Sequence, residues 1–163
     1  MIVGIIGSGG REHAICYKIK KSTLTTKIFC IPGNAGTSNI AENVNIKVND
    51  FKSIKNFCLN NKIELLIVGP EQPLVDGIVD YFDNTNIKIF GTNKLSSKLE
   101  GSKIFTKKIC NEYNIPTAKF KIFKNINETK KFLNEAQFPL VIKADGLAAG
   151  KGVKKKKNYS DGL

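Results

Sequence analysis

Apolar residues recur in short runs separated by polar or glycine-rich punctuation. Met1–Ile6 is an apolar run ending at Gly7, the pattern of a buried strand. From Glu12 to about Lys21 the apolar positions Ala14, Ile15 and Ile19 fall at helical spacing. Lys27–Ile31 predicts a second strand, stopped by Pro32, Gly33 and Asn34. Asp50 predicts the N-cap of a helix running to Asn60, with Ile54, Phe57 and Cys58 on one face. Glu64–Val68 predicts a strand halted by Gly69-Pro70. A helix from Pro73 or Leu74 to Asn84 follows, then a strand over Ile87–Phe90 ending at Gly91. Strand and helix alternate, which predicts an α/β fold with a parallel sheet covered by helices on both faces.

The pattern changes near Thr92. Asn93–Leu99 and Ser102–Tyr113 predict consecutive helices. Lys119–Phe123 is strand-like, a helix is expected near Ile126–Glu135, and Pro139–Lys143 is an apolar strand leading into the glycine loop Ala144–Gly152. A boundary near Leu99–Gly101 divides the chain into expected domains 1–100 and 101–163.

Composition adds three constraints. Apolar residues are 41% and charged residues 25% of the 163, which excludes wholesale disorder. No apolar run approaches the roughly 20 residues of a membrane helix, and no secretory signal pattern opens the chain, so a cytoplasmic protein with no membrane partner is expected. The net charge of +12 suggests nucleic acid, but Arg11 is the only arginine among 26 basic residues. Arginine is the preferred side chain for bidentate phosphate and base contacts, so no nucleic-acid partner is expected. The four cysteines, Cys16, Cys30, Cys58 and Cys110, show no zinc spacing and are expected as buried thiols, with no metal ligands in the chain.

Four predicted strand ends are followed by loops rich in Gly, Pro or Asn: Gly7–Arg11, Pro32–Thr37, Gly69–Leu74 and Gly91–Asn93. In a parallel sheet all four lie along one edge, where ligands bind. Gly7-Ser8-Gly9-Gly10-Arg11-Glu12 offers glycines and helix N–H groups to an anion. It fails the dinucleotide fingerprint: the third glycine would fall at Glu12, and Ile31-Pro32 stands where a ribose-binding acid is expected. A smaller phosphate or sugar-phosphate ligand is therefore expected. His13, the only histidine, is expected to be structural. Glu71 has two readings that spacing does not separate: a contact to a ligand amine or ribose hydroxyls, or a favourable charge near a helix N-terminus. The segment Lys143–Gly152 joins a strand-end lysine to a small-residue loop with a second lysine. That suits charge neutralisation and backbone cover for a polyphosphate, without a Walker A ending.

Taken together, GSGGREHA (7–14), PGNAGT (32–37), VGPEQPLVDGIVD (68–80), IFGTNKLSSKLEGSK (89–103), IPTA (115–118) and IKADGLAAGKGV (142–153) resemble the amino-terminal part of the glycinamide ribonucleotide synthetase family, the phosphoribosylamine–glycine ligases of purine synthesis. The motifs occur in order and span nearly the whole chain. The resemblance implies a pre-ATP-grasp parallel-sheet domain followed by the beginning of an ATP-grasp domain. It implies 5-phosphoribosylamine, glycine and ATP as small-molecule partners, with Mg2+ as metal. Glycine's carboxylate is phosphorylated and the amine then displaces phosphate.

Carried over by position, Lys103 and Lys143 would meet the ATP phosphates. Gly146, Leu147, Ala148, Ala149, Gly150, Lys151 and Gly152 would form the loop that closes over them. Gly7, Ser8, Gly9, Gly10 and Arg11, with Gly33, Asn34 and Glu71, would face phosphoribosylamine. The family's adenine-binding hinge and its acidic and Asn magnesium ligands would lie past Leu163, so no catalytic or metal-ligating residue is assigned and the chain is expected to be inactive alone.

The chain departs from the family at Lys154–Lys157, where an apolar strand is expected. Four lysines put charge on both faces of any strand. A truncated piece or a decayed gene fragment is the expectation. The rival readings are a non-catalytic sugar-phosphate or nucleotide-binding module and a basic nucleic-acid binder built on the lysine run.

Overall fold

A computed structural model describes residues 1–148 and 151–158. The chain divides into two compact units, Met1–Ser97 and Lys98 onward.

In the first unit, β1 (Ile2–Gly7), β2 (Lys27–Pro32), β3 (Glu42–Asn43), β4 (Leu65–Val68) and β5 (Lys88–Phe90) form one parallel sheet in the order β3-β2-β1-β4-β5. The central strand β1 pairs with β2 through Ile5↔Cys30 and with β4 through Ile5↔Ile67. The two-residue alternation of strands sends neighbouring side chains to opposite faces. Val3, Ile5, Ile28 and Cys30 pack on one face with Cys16 of α1 (Gly10–Lys20). Ile6, Phe29, Ile31, Leu66 and Val68 pack on the other with Ile54 and Cys58 of α2 (Phe51–Asn60) and with Ile78 and Phe82. β1, β2 and β4 are thus apolar on both faces, which is why their sequences read as continuous runs rather than alternations. Gly4 lets β1 approach β4: a Cβ there would stand 2.8 Å from Leu66 Cδ1.

Local signals set most boundaries. Asp50 caps α2, its Oδ1 accepting the Ser53 N–H at 3.1 Å; this bond holds its carboxyl below the ordinary range. The helix expected from Pro73 or Leu74 to Asn84 is instead two short ones, α3 (Glu71–Asp76) and α4 (Ile78–Tyr81). They part at Gly77, whose φ of +96° no helix residue adopts. The first helix begins at Gly10, two residues before the expected Glu12. Cys16 and Cys30 lie in the core with Sγ atoms 3.8 Å apart; Cys58 is buried and Cys110 half-buried.

Helix α5 (Lys94–Gly101) closes the first unit and opens the second. The second unit holds α6 (Lys103–Glu112), capped by Ser102, and α7 (Ile126–Glu135), capped by Asn125. An antiparallel pair follows, β6 (Leu140–Lys143) and β7 (Val153–Lys156). The expected strand over Lys119–Phe123 does not form; Phe123 packs instead on Phe132 of α7 at 5.1 Å between ring centroids. The lysine run does form a strand. A ladder needs only backbone groups, and Val153, Lys154 and Lys155 are exposed, so two of the ammonium groups stay in water. Lys156 alone is buried, at 3% exposure, and is paired in register with Leu140. Among the described residues no helix is long and apolar enough to cross a membrane.

Candidate functional site

The carboxyl ends of β1, β2 and β4 lie side by side, and their loops are bonded to one another. Gly33 N–H donates to Gly7 O at 3.1 Å and Gly69 N–H to Ile6 O at 3.1 Å. These bonds extend the ladders one step past the strands. They bring the loops starting at Gly7, Gly33 and Gly69 to one line, as the sequence predicts.

Asn34 locks the second loop to the first. Its amide Nδ2 donates to Ser8 O at 2.9 Å and Gly9 O at 3.2 Å, while its Oδ1 accepts from the N–H groups of Gly36 at 2.7 Å and Thr37 at 3.0 Å. Thr37 is buried and donates its hydroxyl to Asn43 Oδ1 at 2.7 Å, and Asn43 Nδ2 donates back to Asn34 O. Asn34 therefore shapes the loop rather than presenting an open amide. Gly33, at φ +77°, turns the chain directly over Asn43 and Thr37, where a Cβ would collide. The His13 ring packs against Gly36, in keeping with its expected structural role.

Arg11 and Glu71 join the first loop to the third. Arg11 Nη1 donates to Glu71 Oε1 at 3.0 Å, and both side chains are near half exposed. Glu71 opens α3; its own helix-end N–H first, and the Arg11 guanidinium next, hold its carboxyl below the ordinary range. Glu71 is thus a helix-end charge that also pairs with Arg11 at the carboxyl edge of the sheet.

Glu12 is the residue whose part the sequence reading missed. Its side chain is 5% exposed and its Oε2 accepts the Gly9 N–H at 2.6 Å, reaching back over the first turn of α1. Its Oε1 accepts no hydrogen bond and lies 3.6 Å from Arg11 Nε. A Cβ at Gly7, Gly9 or Gly69 would meet this carboxyl group at 2.6, 2.9 or 2.1 Å. The signal was the Gly9-x-x-Glu12 spacing of a capping box; that Gly69 would close the cradle had no local signal.

The second unit carries its own cluster. Lys103 Nζ donates to Gly146 O at 2.6 Å. Asp145 accepts from Ile104 N–H at 3.1 Å and from Ser102 Oγ at 3.1 and 3.2 Å, and those bonds, Ile104's first, hold its carboxyl below the ordinary range. Lys143 ends β6 and is exposed. Ala144 N–H bonds Gly152 O, and Lys151 N–H bonds Ala148 O, so the loop is tied at both ends. Ala149 and Gly150 lie outside the described residues. The cluster brings Lys103 to Gly146, and Lys143 to the loop's start. Asp145, read only as part of the motif, is its fastening.

Comparison with known proteins follows the same division. Residues 1–100 match the family described as "Phosphoribosylglycinamide synthetase, N domain", and residues 101–162 match "Phosphoribosylglycinamide synthetase, ATP-grasp (A) domain". The chain is 54% identical over 153 residues to the phosphoribosylamine–glycine ligase of Caldanaerobacter subterraneus, covering 94% of this chain and 37% of that protein. It is 49% identical over 153 residues to the corresponding ligase of Mesorhizobium japonicum, covering 94% and 36%. The crystal structure of the Thermotoga maritima phosphoribosylamine–glycine ligase superposes with a TM-score of 0.74 at 31% identity, over 98% of this chain and 37% of that one. The chain thus spans little more than a third of the length of the relatives it matches.

Proposed function

The chain belongs to the phosphoribosylglycinamide synthetase family, and we propose that it is the substrate-holding first part of an ATP-dependent carbon–nitrogen ligase of purine biosynthesis, which joins glycine to 5-phosphoribosylamine. On this reading residues 1–100 are the pre-ATP-grasp domain and residues 101–163 the beginning of the ATP-grasp domain.

The observation that carries the reading is the 3.0 Å pair of Arg11 and Glu71 at the shared edge of the first and third loops. It sets a cation and a carboxylate side by side, near half exposed, where α1 and α3 both point their N-termini. Phosphoribosylamine carries the complementary groups: a phosphate for Arg11 and the N-terminal end of α1, and an amine and hydroxyls for Glu71. Gly33 and Asn34 hold the rim of this site in shape. The non-catalytic module is not favoured, because both units match one ligase family.

For ATP, Lys103 and Lys143 would hold the phosphates, and Gly146, Leu147, Ala148, Ala149, Gly150, Lys151 and Gly152 would cover them. Lys103, already drawn to Gly146 O, supports that assignment. When bound, ATP supplies the phosphoryl group that activates glycine; these residues contribute charge and N–H donors alone. Among the described residues no group of three or more His, Cys, Asp or Glu side chains could hold a metal ion, and none is assigned to the magnesium that the resemblance implies. Residues 1–163 by themselves are expected to make no glycinamide ribonucleotide, and turnover above a no-enzyme control overturns that expectation.

A chemical-shift titration tests the site. Ribose 5-phosphate is expected to give weak, saturable shifts at Gly9, Gly33 and Glu71, while ATP, held by screened charge alone, marks no discrete site. The reading of the first unit's site fails if ribose 5-phosphate leaves the three loops unchanged.

A further inference from the structure

The Gly7–Gly10 loop has the parts of an anion seat: a buried strand, exposed residues Ser8, Gly9 and Gly10, and an 11-residue helix behind them. Such a seat attracts negative charge by its free N–H groups and by the helix dipole. Here the seat already contains an anion. Glu12 takes the Gly9 N–H at 2.6 Å, is all but enclosed, and is walled by glycines of two separate loops. We infer that Glu12 is a specificity-determining residue: its buried carboxylate keeps a pyrophosphate out of the loop and leaves this edge to ligands whose single phosphate is held at the rim by Arg11.

A capping box alone accounts for less than is seen. The full motif needs a Ser or Thr side chain at the N-cap, which Gly9 lacks, and takes either Glu or Gln at the third helical position. It requires neither burial of the carboxylate nor glycine at Gly69, a loop away between β4 and α3. The cation beside this charge is shared. Arg11 Nε stands 3.6 Å from Glu12 Oε1 while the same guanidinium bonds Glu71 at 3.0 Å, so one cation faces two carboxylates. A second phosphate, placed deeper than the first, would lose the Gly9 N–H and meet a like charge within a few ångströms. A single phosphate at the rim needs no Gly9 N–H and stays outside the Glu12 enclosure; it shares Arg11 with the half-exposed, solvent-screened Glu71. The departure at position 12 from the dinucleotide fingerprint thus acts as a filter.

The inference rests on the proposed function only in taking this edge as ligand-binding. Its test uses inorganic pyrophosphate as the probe, with amide shifts at Gly9, Gly10 and Arg11 read at fixed pH and ionic strength. Glu12→Gln keeps an acceptor for the Gly9 N–H and removes the charge; Glu12→Gly restores the third glycine. The 163-residue chain is expected to show no saturable shift, and either folded variant to bind with roughly tenfold or greater gain in affinity. Saturable pyrophosphate binding at these amides in the unaltered chain overturns the inference. So does a folded Gln variant whose affinity is unchanged, and so does loss of the fold in both variants, which makes Glu12 a purely structural residue. Where only the Gln variant unfolds, the Gly variant decides. Ribose 5-phosphate binding to the unaltered chain is a separate readout: its absence sinks the proposed function and leaves the pyrophosphate result standing.

Discussion

Gly69→Ala isolates the packing between the first and third loops. Gly69 is buried, and a methyl group there would stand 2.1 Å from Glu12 Oε1 and 2.7 Å from its Cδ and Cγ. Its N–H bond to Ile6 O at 3.1 Å survives the substitution, so the cost is steric and falls on one neighbour. The carboxyl group cannot retreat freely, because Gly7 and Gly9 enclose it from the other side. Overpacking of this kind costs about 1–3 kcal/mol. For a unit of this size that corresponds to a fall of roughly 4–24 °C in midpoint. Urea unfolding followed on the amide signals of β1 and β4 reports the first unit alone. The decisive comparison is the double-mutant cycle with Glu12→Ala: once the carboxyl is gone, the methyl added at position 69 has room, and most of the penalty should vanish. An equal penalty in both backgrounds, or none in either, would refute the enclosed placement of Glu12.

Two further outcomes follow from the electrostatics. Burial pushes the Cys58 thiol up to about 12, and the contact with Cys30 together with burial pushes the Cys16 thiol up as well. Half-buried Cys110 should therefore react first with a thiol reagent at about pH 8, with Cys58 modified only on unfolding; mass mapping of a partly modified sample that finds Cys58 first contradicts this. The helix-end N–H and then Arg11 hold the folded Glu71 carboxyl below its ordinary range, so the contribution of its pair with Arg11 is present at neutral pH and is lost as pH falls through the folded value. With both side chains near half exposed it amounts to about 0–1 kcal/mol. The urea midpoint of the unaltered chain should exceed that of Glu71→Gln at about pH 7 and converge with it in acid, and a gap that widens in acid would show the sign is wrong.

The parallel sheet was legible because its strands announce themselves twice, as apolar runs and by the glycine or proline that ends each one. Boundaries drawn from one local signal held where that signal was a side-chain cap, as at Asp50. They failed where the chain turned on a single backbone angle, as at Gly77. The two-residue β3 carries no periodicity and exists because β2 offers it a ladder. The lysine run puts charge on both faces, and β7 accommodates it by pairing through its backbone with most of its side chains exposed.

By sequence alone, the chain determined that glycine loops follow its strands, that Arg11 is its sole guanidinium, and that position 12 is an acid where a dinucleotide binder has glycine. Those are properties of neighbours along the chain. Tertiary structure alone decided that Arg11 meets Glu71 sixty residues away, that Asn34 commits its amide to Ser8 and Gly9, and that Gly69 closes over Glu12. Each of the contacts to the third loop depends on β4 lying beside β1, and the Asn34 contact on β2 lying at its other side. A hydrogen bond or a steric contact acts over a few ångströms, and only the register of the sheet brings residues so distant in sequence within that range.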